Sequence, residues 1–570
     1  MDCAAVSCSV THRVCKQHLL ATKVPHFLFP QPRIIGTQTL RHFADMPSDD
    51  ASADAADIRV PTSHQHTGEH RLRSYVLPVL LPTFLTFMAS GMLVPVLPLY
   101  AAAALKLPPH AVGNVVGTRG VGGIFFAVPA GFLASFASTP ESSSSFIPRG
   151  DRTAMCMGVL ATAVCYALTA AYARGVETLT ISRFAAGGSY MIWQVGQQAY
   201  VKRTCPNEHR GTVLSTVGLV ARSGQFVGPI VGGELLHTFG ISDGTVAAFT
   251  LAAALTLPLT PLTLMFAHKR AECTQLPSTP YATTTTTTTT ATPKSAFLAK
   301  LATVARWPYD AARRVLDGVP KRRLAFSALA CALVMTVRAS REYVIPILAH
   351  QGFAKMPARE VGIVVAFSSL LDLMCSPLSG RIMDAKRWSK AAAGATAITP
   401  RDRALGRARS GMASMMLFVV GLSVMSLPVP SSRRIAACVL LYAGGALAGI
   451  ANGLSSGLVM TLGTDLAPAD ATRTGSFLGV WRLLSDLGVF IGPLLTGAVG
   501  TAVLAHDGSG GEEAAACASG YAGAAMAACA CGAFMLLAGV PYGEVTTTTT
   551  TTSELVPLVR ANESGAAASS

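Results

Sequence analysis

Runs of roughly 20 apolar residues with few charges limit what this chain can fold into, because a helix of that length crosses the hydrocarbon core of a bilayer. Such runs fall near 75–100, 111–136, 153–173, 178–199, 212–238 and 246–267. After a long polar break they resume near 323–349, 360–384, 410–428, 434–461, 475–501 and 518–541. The pattern predicts an all-α membrane protein with about twelve transmembrane helices, six in each half. Helices are required because lipid offers no partner for an unpaired backbone N–H or C=O. With 51% hydrophobic and 13% charged residues, a 570-residue chain has too little polar surface to be an ordinary soluble domain.

The net charge of +15 would suit nucleic acid, but its placement points elsewhere. Basic residues gather in alternate loops: Lys269, Arg270, Lys294, Lys300, Arg306, Arg313, Arg314 and Lys321 to Arg323 between the halves, then Lys386, Arg387, Lys390, Arg401, Arg403, Arg407 and Arg409 after the eighth run. The intervening loops hold fewer, among them Lys106, Arg174, Lys355, Arg359 and Arg433-Arg434. Short basic loops stay cytoplasmic, so both termini are expected in the cytosol, and no nucleic-acid partner is expected.

The chain then divides into a cytosolic tail (1–74), a six-helix bundle (75–267), a linker (268–322), a second six-helix bundle (323–541) and a second tail (542–570). The first tail has no acidic residue from Cys3 to Ala44; a disordered tail, a late start at Met46 and an organelle transit peptide all fit that composition. The linker carries a threonine run, Thr283 to Thr290, and a basic stretch with Phe297, Leu301 and Val304 on one helical face, suited to the inner leaflet. Glu554-Leu-Val-Pro-Leu558-Val559 has the form of an acidic sorting signal, which leaves plasma and endolysosomal membranes open. Thirteen cysteines give no disulfide framework, and Cys529-Ala-Cys531 lacks zinc spacing; neither a metal nor a cofactor is expected.

Gly224, Gly228-Pro229 and Gly232-Gly233 form a small-residue face within Gly211 to Gly240, a groove that lets a second helix come close. Shifted by 264 residues, Gly228-Pro229 falls on Gly492-Pro493, and a second echo relates Val112–Gly131 to Val361–Gly380 at a shift of 249. Two echoes in the same order indicate a duplicated unit, the way many secondary transporters are built. The glycine stretch, preceded by Pro206, Glu208 and Arg210-Gly211, resembles the helix 5 antiporter motif of the major facilitator superfamily, with Ser215 in place of a first glycine. That resemblance implies two pseudo-symmetric six-helix bundles rocking about a central site, in the drug/proton antiporter-like branch. It also implies a gating loop of the form Gly-x-x-x-Asp after the second helix of each half. Gly380 and Asp384 keep that form; in the first half Gly131 is followed by Ser135 where the acid should stand, which puts a symmetric latch in doubt. Arg183 and Gly187 resemble the family's Arg-x-x-x-Gly signature, often tied to proton transfer; snorkelling of Arg183 to the interface is the competing reading.

Charges inside a membrane are costly and mark pathways or pairs. The candidates for substrate binding or coupling are Arg119, Arg183, Arg222, Arg338, Arg341, Glu342, Asp372, Arg482 and Asp486. Two local pairs are available at i,i+4 spacing, Arg338 with Glu342 and Arg482 with Asp486. The family's helix arrangement implies two others across the halves, Arg119 with Asp486 and Arg222 with Asp372. The expected function is secondary transport of a small organic solute, with protons as the coupling ion in antiport, by a monomer in the lipid bilayer. A facilitative organic anion or sugar carrier and a non-transporting solute receptor are the alternatives. No Walker loop or His-Glu-x-x-His lies in the spans, so an enzyme is not expected.

Overall fold

Helix α1, Val76–Ala104, opens the described part of the chain. A computed structural model describes residues 75–136, 150–172, 175–205, 207–269, 320–383, 400–467, 471–506 and 511–539. The first tail, the threonine run and basic stretch of the linker, Asp384 and the C-terminal sorting sequence lie outside the described residues. After α1 come α2 (Pro109–Phe136), α3 (Gly150–Tyr172), α4 (Val176–Thr204), α5 (Asn207–Thr256) and α6 (Leu259–Lys269). The second half holds α7 (Lys321–His350), α8 (Ala358–Met383), α9 (Pro400–Met425), α10 (Arg434–Leu454), α11 (Leu458–Leu466), α12 (Ala471–His506) and α13 (Gly511–Gly539). Every regular element among the described residues is helical.

Nine helical stretches among the described residues are long and apolar enough to cross a membrane. One of them, Val213–Met265, contains two passages. The loop expected between the fifth and sixth runs shrinks to a single residue, Gly240, at φ 79° and ψ 170°. An L side chain rarely adopts that conformation, and glycine adopts it at no steric cost. Beyond it the chain folds back, so closely that a Cβ on Gly244 would lie 2.6 Å from the carbonyl oxygen of Leu235. With α2 and α4, 28 and 29 residues long, the arrangement is consistent with twelve crossings.

The duplicated sequence becomes duplicated packing. In the first half, Cβ atoms on Gly224, Gly228 and Gly232 would overlap the α1 backbone at Phe84, Met88 and Met92, so α1 lies directly in the glycine groove of α5. In the second half, Gly488 and Gly492 of α12 receive the α7 backbone at Ala332 and Thr336 in the same manner. Contacts between the halves repeat with it. The carbonyl of Pro229 in α5 meets Gly362 of α8, and that of Pro493 in α12 meets Gly113 of α2. Gly233 faces the Ala358 carbonyl, and Gly497 faces the Pro109 carbonyl. Each of these pairs maps onto its counterpart by the same shifts, 264 for α5 to α12 and 249 for α2 to α8, that relate the sequences. A pseudo-twofold axis between the bundles accounts for all of them at once.

These contacts also fix which end is shut. At the end carrying the α1–α2 and α7–α8 connections, α2 packs against α12 from Pro109 through Gly113 and Gly117 to Gly120, and α5 packs against α8 around Gly233 and Gly362. Polar bonds cross the halves there too. The backbone N–H of His110 donates to Thr501 Oγ1 at 2.9 Å, Tyr343 donates to the Pro109 carbonyl at 3.3 Å, and Arg359 pairs with Glu234 at 2.9 Å. Toward the opposite end, Phe125 is exposed and, among the described residues, nothing lies within 4 Å of a Cβ built on Gly131.

Candidate functional site

Between the halves, below that seal, lies a cavity of about 210 Å³. It is bounded by α1, α2, α4, α5, α7 and α12, with Phe87, Leu93, Val116, Met191, Met335 and Val489 as its apolar wall. Its polar groups are Ser90, Arg119, Arg183, Tyr190, Gln194, Gln225, Glu342, Arg482 and Asp486. Five of the nine charged candidates from the sequence therefore meet in one chamber. The uncharged partners escaped the sequence argument; Gln194 and Gln225, amides within apolar runs, carried the signal that could have found them.

The pairing inside the cavity differs from the one the family arrangement implied. Arg482 Nε bonds Asp486 Oδ2 at 2.6 Å, the local i,i+4 pair, and Arg482 also reaches across the halves to Gln194 Oε1 at 3.4 Å. Arg119 does not take Asp486. It donates to Ser90 Oγ at 2.7 Å, and its guanidinium lies 4.6 Å from the centre of the Tyr190 ring. A carboxylate already held by the neighbouring turn is a poorer partner than a hydroxyl and a ring face set directly beside the arginine. Arg183, 5% exposed, also lines this cavity.

A second polar centre sits at the α5–α8 junction. Arg222 Nε lies 3.1 Å from Asp372 Oδ1, joining the two halves, and Asn452 of α10 donates to Asp372 Oδ2 at 2.6 Å. Asp372 is only 3% exposed. Arg338 belongs to this centre and not to Glu342. Its Nη2 donates to Ser455 Oγ at 2.8 Å and approaches the Asn452 carbonyl at 3.5 Å, because the C-terminal end of α10 and the residue that caps it present acceptors that draw its donors away from the next turn of α7. Arg341 contacts Ser368 at 3.4 Å in a small recess shared with Gln225, Pro229 and Glu342. Glu342 thus borders both the recess and the main cavity.

Removing one member of the cross-half pair leaves a charge in a dry setting. Arg222→Ala is expected to destabilise the protein by about 3 kcal/mol, and the double variant with Asp372→Ala to recover most of that loss. Thermal melting in detergent measures both; simple addition of the two single losses would show that the groups are not coupled.

Known structures share the architecture. The nucleoside transporter NupG, in a mutant form, superposes with a TM-score of 0.54 at 14% identity, covering 81% of this chain and 99% of that one. A bacterial homologue of the human lysosomal transporter Spinster, inward-facing and occupied, gives 0.53 at 13% identity over 82% and 97%. A bacterial homologue of the human drug peptide transporters PepT1 and PepT2 gives 0.54 at 11% identity over 82% and 97%. At these identities the likeness is one of fold. No curated protein matches the sequence significantly. Residues 79–493 match the model of the Major Facilitator Superfamily, and with the paired bundles, the apolar helices and the chamber between them, this chain belongs to that superfamily of secondary transporters as a multi-pass integral membrane protein.

Proposed function

We propose that the protein is a proton-coupled antiporter that carries a small organic solute by alternating access, with Asp372 as the coupling acid. The observation that carries this reading is the Arg222–Asp372 pair, a buried charge contact that joins the two halves. Protonating Asp372 removes the charge that holds Arg222, so the halves can part along α5 and α8; losing the proton restores the tie. Coupling in this form needs a carboxyl group that ties the two halves together, and the Asp372 contact with Arg222 supports that role.

Under the loop-charge assignment both termini are cytosolic, the sealed end faces outward and the cavity opens to the cytosol. Residues 75–267 and 323–541 then act as the two rocking bundles and 268–322 as the cytosolic linker, in a monomer. Relatives of the fold described as nucleoside and peptide transporters support a small organic solute as cargo. The homologue of a lysosomal transporter keeps an endolysosomal membrane beside the plasma membrane as the site of action. Gly380 and Asp384 would form the surviving latch at the cytosolic end, and Glu342 a second acid within reach of the cargo.

Vesicles with and without the protein, loaded with a metabolite mixture and placed under an imposed pH gradient, test the reading. A solute whose accumulation requires both the protein and the gradient is the expected result. Binding without accumulation would convert the protein into a receptor, and accumulation indifferent to the gradient would make it a facilitative carrier.

A further inference from the structure

The walls of the central cavity carry more than their share of positive charge, and the surplus sits at one place. Arg183 is 5% exposed, its Nε is enclosed without an acceptor, and no hydrogen bond or ion pair engages its guanidinium among the described residues. One turn along α4, Gly187 packs so closely on α2 that a Cβ there would overlap the Arg119 carbonyl. That contact sets Arg119 and Arg183 on adjoining walls of the cavity. The partners of Arg119, the Ser90 hydroxyl and the Tyr190 ring, bear no negative charge. Of the two acids in the chamber, Asp486 holds Arg482 through Oδ2 while its Oδ1 is enclosed without a donor, which leaves Glu342 as the acid facing the other two guanidiniums. An unmatched cation in a membrane interior is too costly to be idle structure.

We infer that Arg119 and Arg183 form the anion-binding end of the transport site, and that the cargo is a small amphipathic monocarboxylate. This deepens the transport reading above and rests on it. A guanidinium presents paired N–H groups that match the two oxygens of a carboxylate. Three arginines against two acids leave one charge to neutralise, which a monoanion does, whereas a dianionic phosphate would reverse the imbalance in a setting of low dielectric. On the same walls, Phe87, Leu93, Val116 and Met191 offer apolar surface for the rest of the molecule. At about 210 Å³ the chamber is below the roughly 300–1,000 Å³ of pockets that hold drug-sized ligands, so the cargo is small.

Trp193 provides the readout, because its ring packs against Phe87 and Tyr190, 6.1 and 5.7 Å between centroids, and both of those line the chamber. Titrating the purified full-length protein with benzoate, hexanoate, benzyl alcohol, benzylamine and phenyl phosphate, each followed by tryptophan fluorescence, should rank at least one carboxylate first. Arg183→Gln should weaken carboxylate binding about 100-fold while leaving benzyl alcohol unchanged, and Arg183→Lys should recover part of the loss. Comparing the ligands on the unaltered protein needs no variant to fold. Equal or tighter binding of the amine or the alcohol overturns the inference, and tighter binding of phenyl phosphate overturns the carboxylate assignment. A cysteine at Val116, in a background without native cysteines, reports separately whether the chamber opens to each side. If it alternates while carboxylates show no preference, the cargo class fails and transport stands; if it never alternates, the transport reading itself fails.

Discussion

Replacing Asp372 with Asn is expected to abolish pH-driven accumulation of the cargo, lowering it about 100-fold, while exchange of cargo across the membrane continues without a gradient. The amide has the shape of the protonated acid and can still bond Asn452, which now reaches Asp372 at 2.6 Å. What it cannot do is change charge. Arg222 then faces a permanently neutral partner in place of the carboxylate now 3.1 Å away, and the tie between the halves no longer depends on pH. Exchange survives because movement of the loaded carrier requires only that the pair be broken. The measurement is uptake of the cargo found in the vesicle screen, with and without an imposed gradient, beside counterflow at equal pH. Retained dependence on the gradient would remove Asp372 from the coupling step and leave Glu342, the acid bordering the main cavity, as the next to test.

The fold was legible because membrane helices announce themselves by length and apolarity, and because a duplicated segment writes its symmetry into the chain twice. The sequence shifts between Gly228 and Gly492 and between Gly113 and Gly362 reappear as equivalent contacts. Five of the nine charged candidates line one chamber, and their pairings were less legible than that grouping. The Arg482–Asp486 contact follows from spacing on one helix, whereas the partners of Arg119 and Arg338 depend on hydroxyls and a ring supplied by α1, α4 and the residue that caps α10. Which faces of neighbouring helices meet is set by helix rotation, which periodicity does not give. The glycine groove shows the same limit. Read from sequence, the groove lacked a named partner; Gly228 receives α1 of its own half, while Gly233 faces α8 across the junction. Five residues turn an α-helix through about 140°, so near neighbours in one motif serve different interfaces.

That distinction separates two kinds of glycine variant and yields a test of the rocking motion itself. Gly362→Leu and Gly113→Leu are expected to drive the protein toward the state in which the end now sealed is open. A Cβ at either position overlaps a proline carbonyl of the other half, Pro229 or Pro493, and helix backbone cannot yield as a flexible side chain would. Overpacking of this kind costs about 1–3 kcal/mol. Because the contact exists only while the seal is closed, the cost falls on one conformer and shifts the equilibrium about 5- to 150-fold. Gly228→Leu is a different experiment: its clash is with Met88 in α1, inside one bundle, and that contact persists whichever way the bundle is tilted. It should lower the melting temperature while leaving the balance between states nearly unchanged. Labelling of a cysteine at Val116 by membrane-impermeant reagents from each side reads the balance, and thermal melting reads the stability. If all three variants melted alike and left the labelling pattern as it was, the α2–α12 and α5–α8 contacts would be static packing, and alternation would have to occur without parting the two halves at this end.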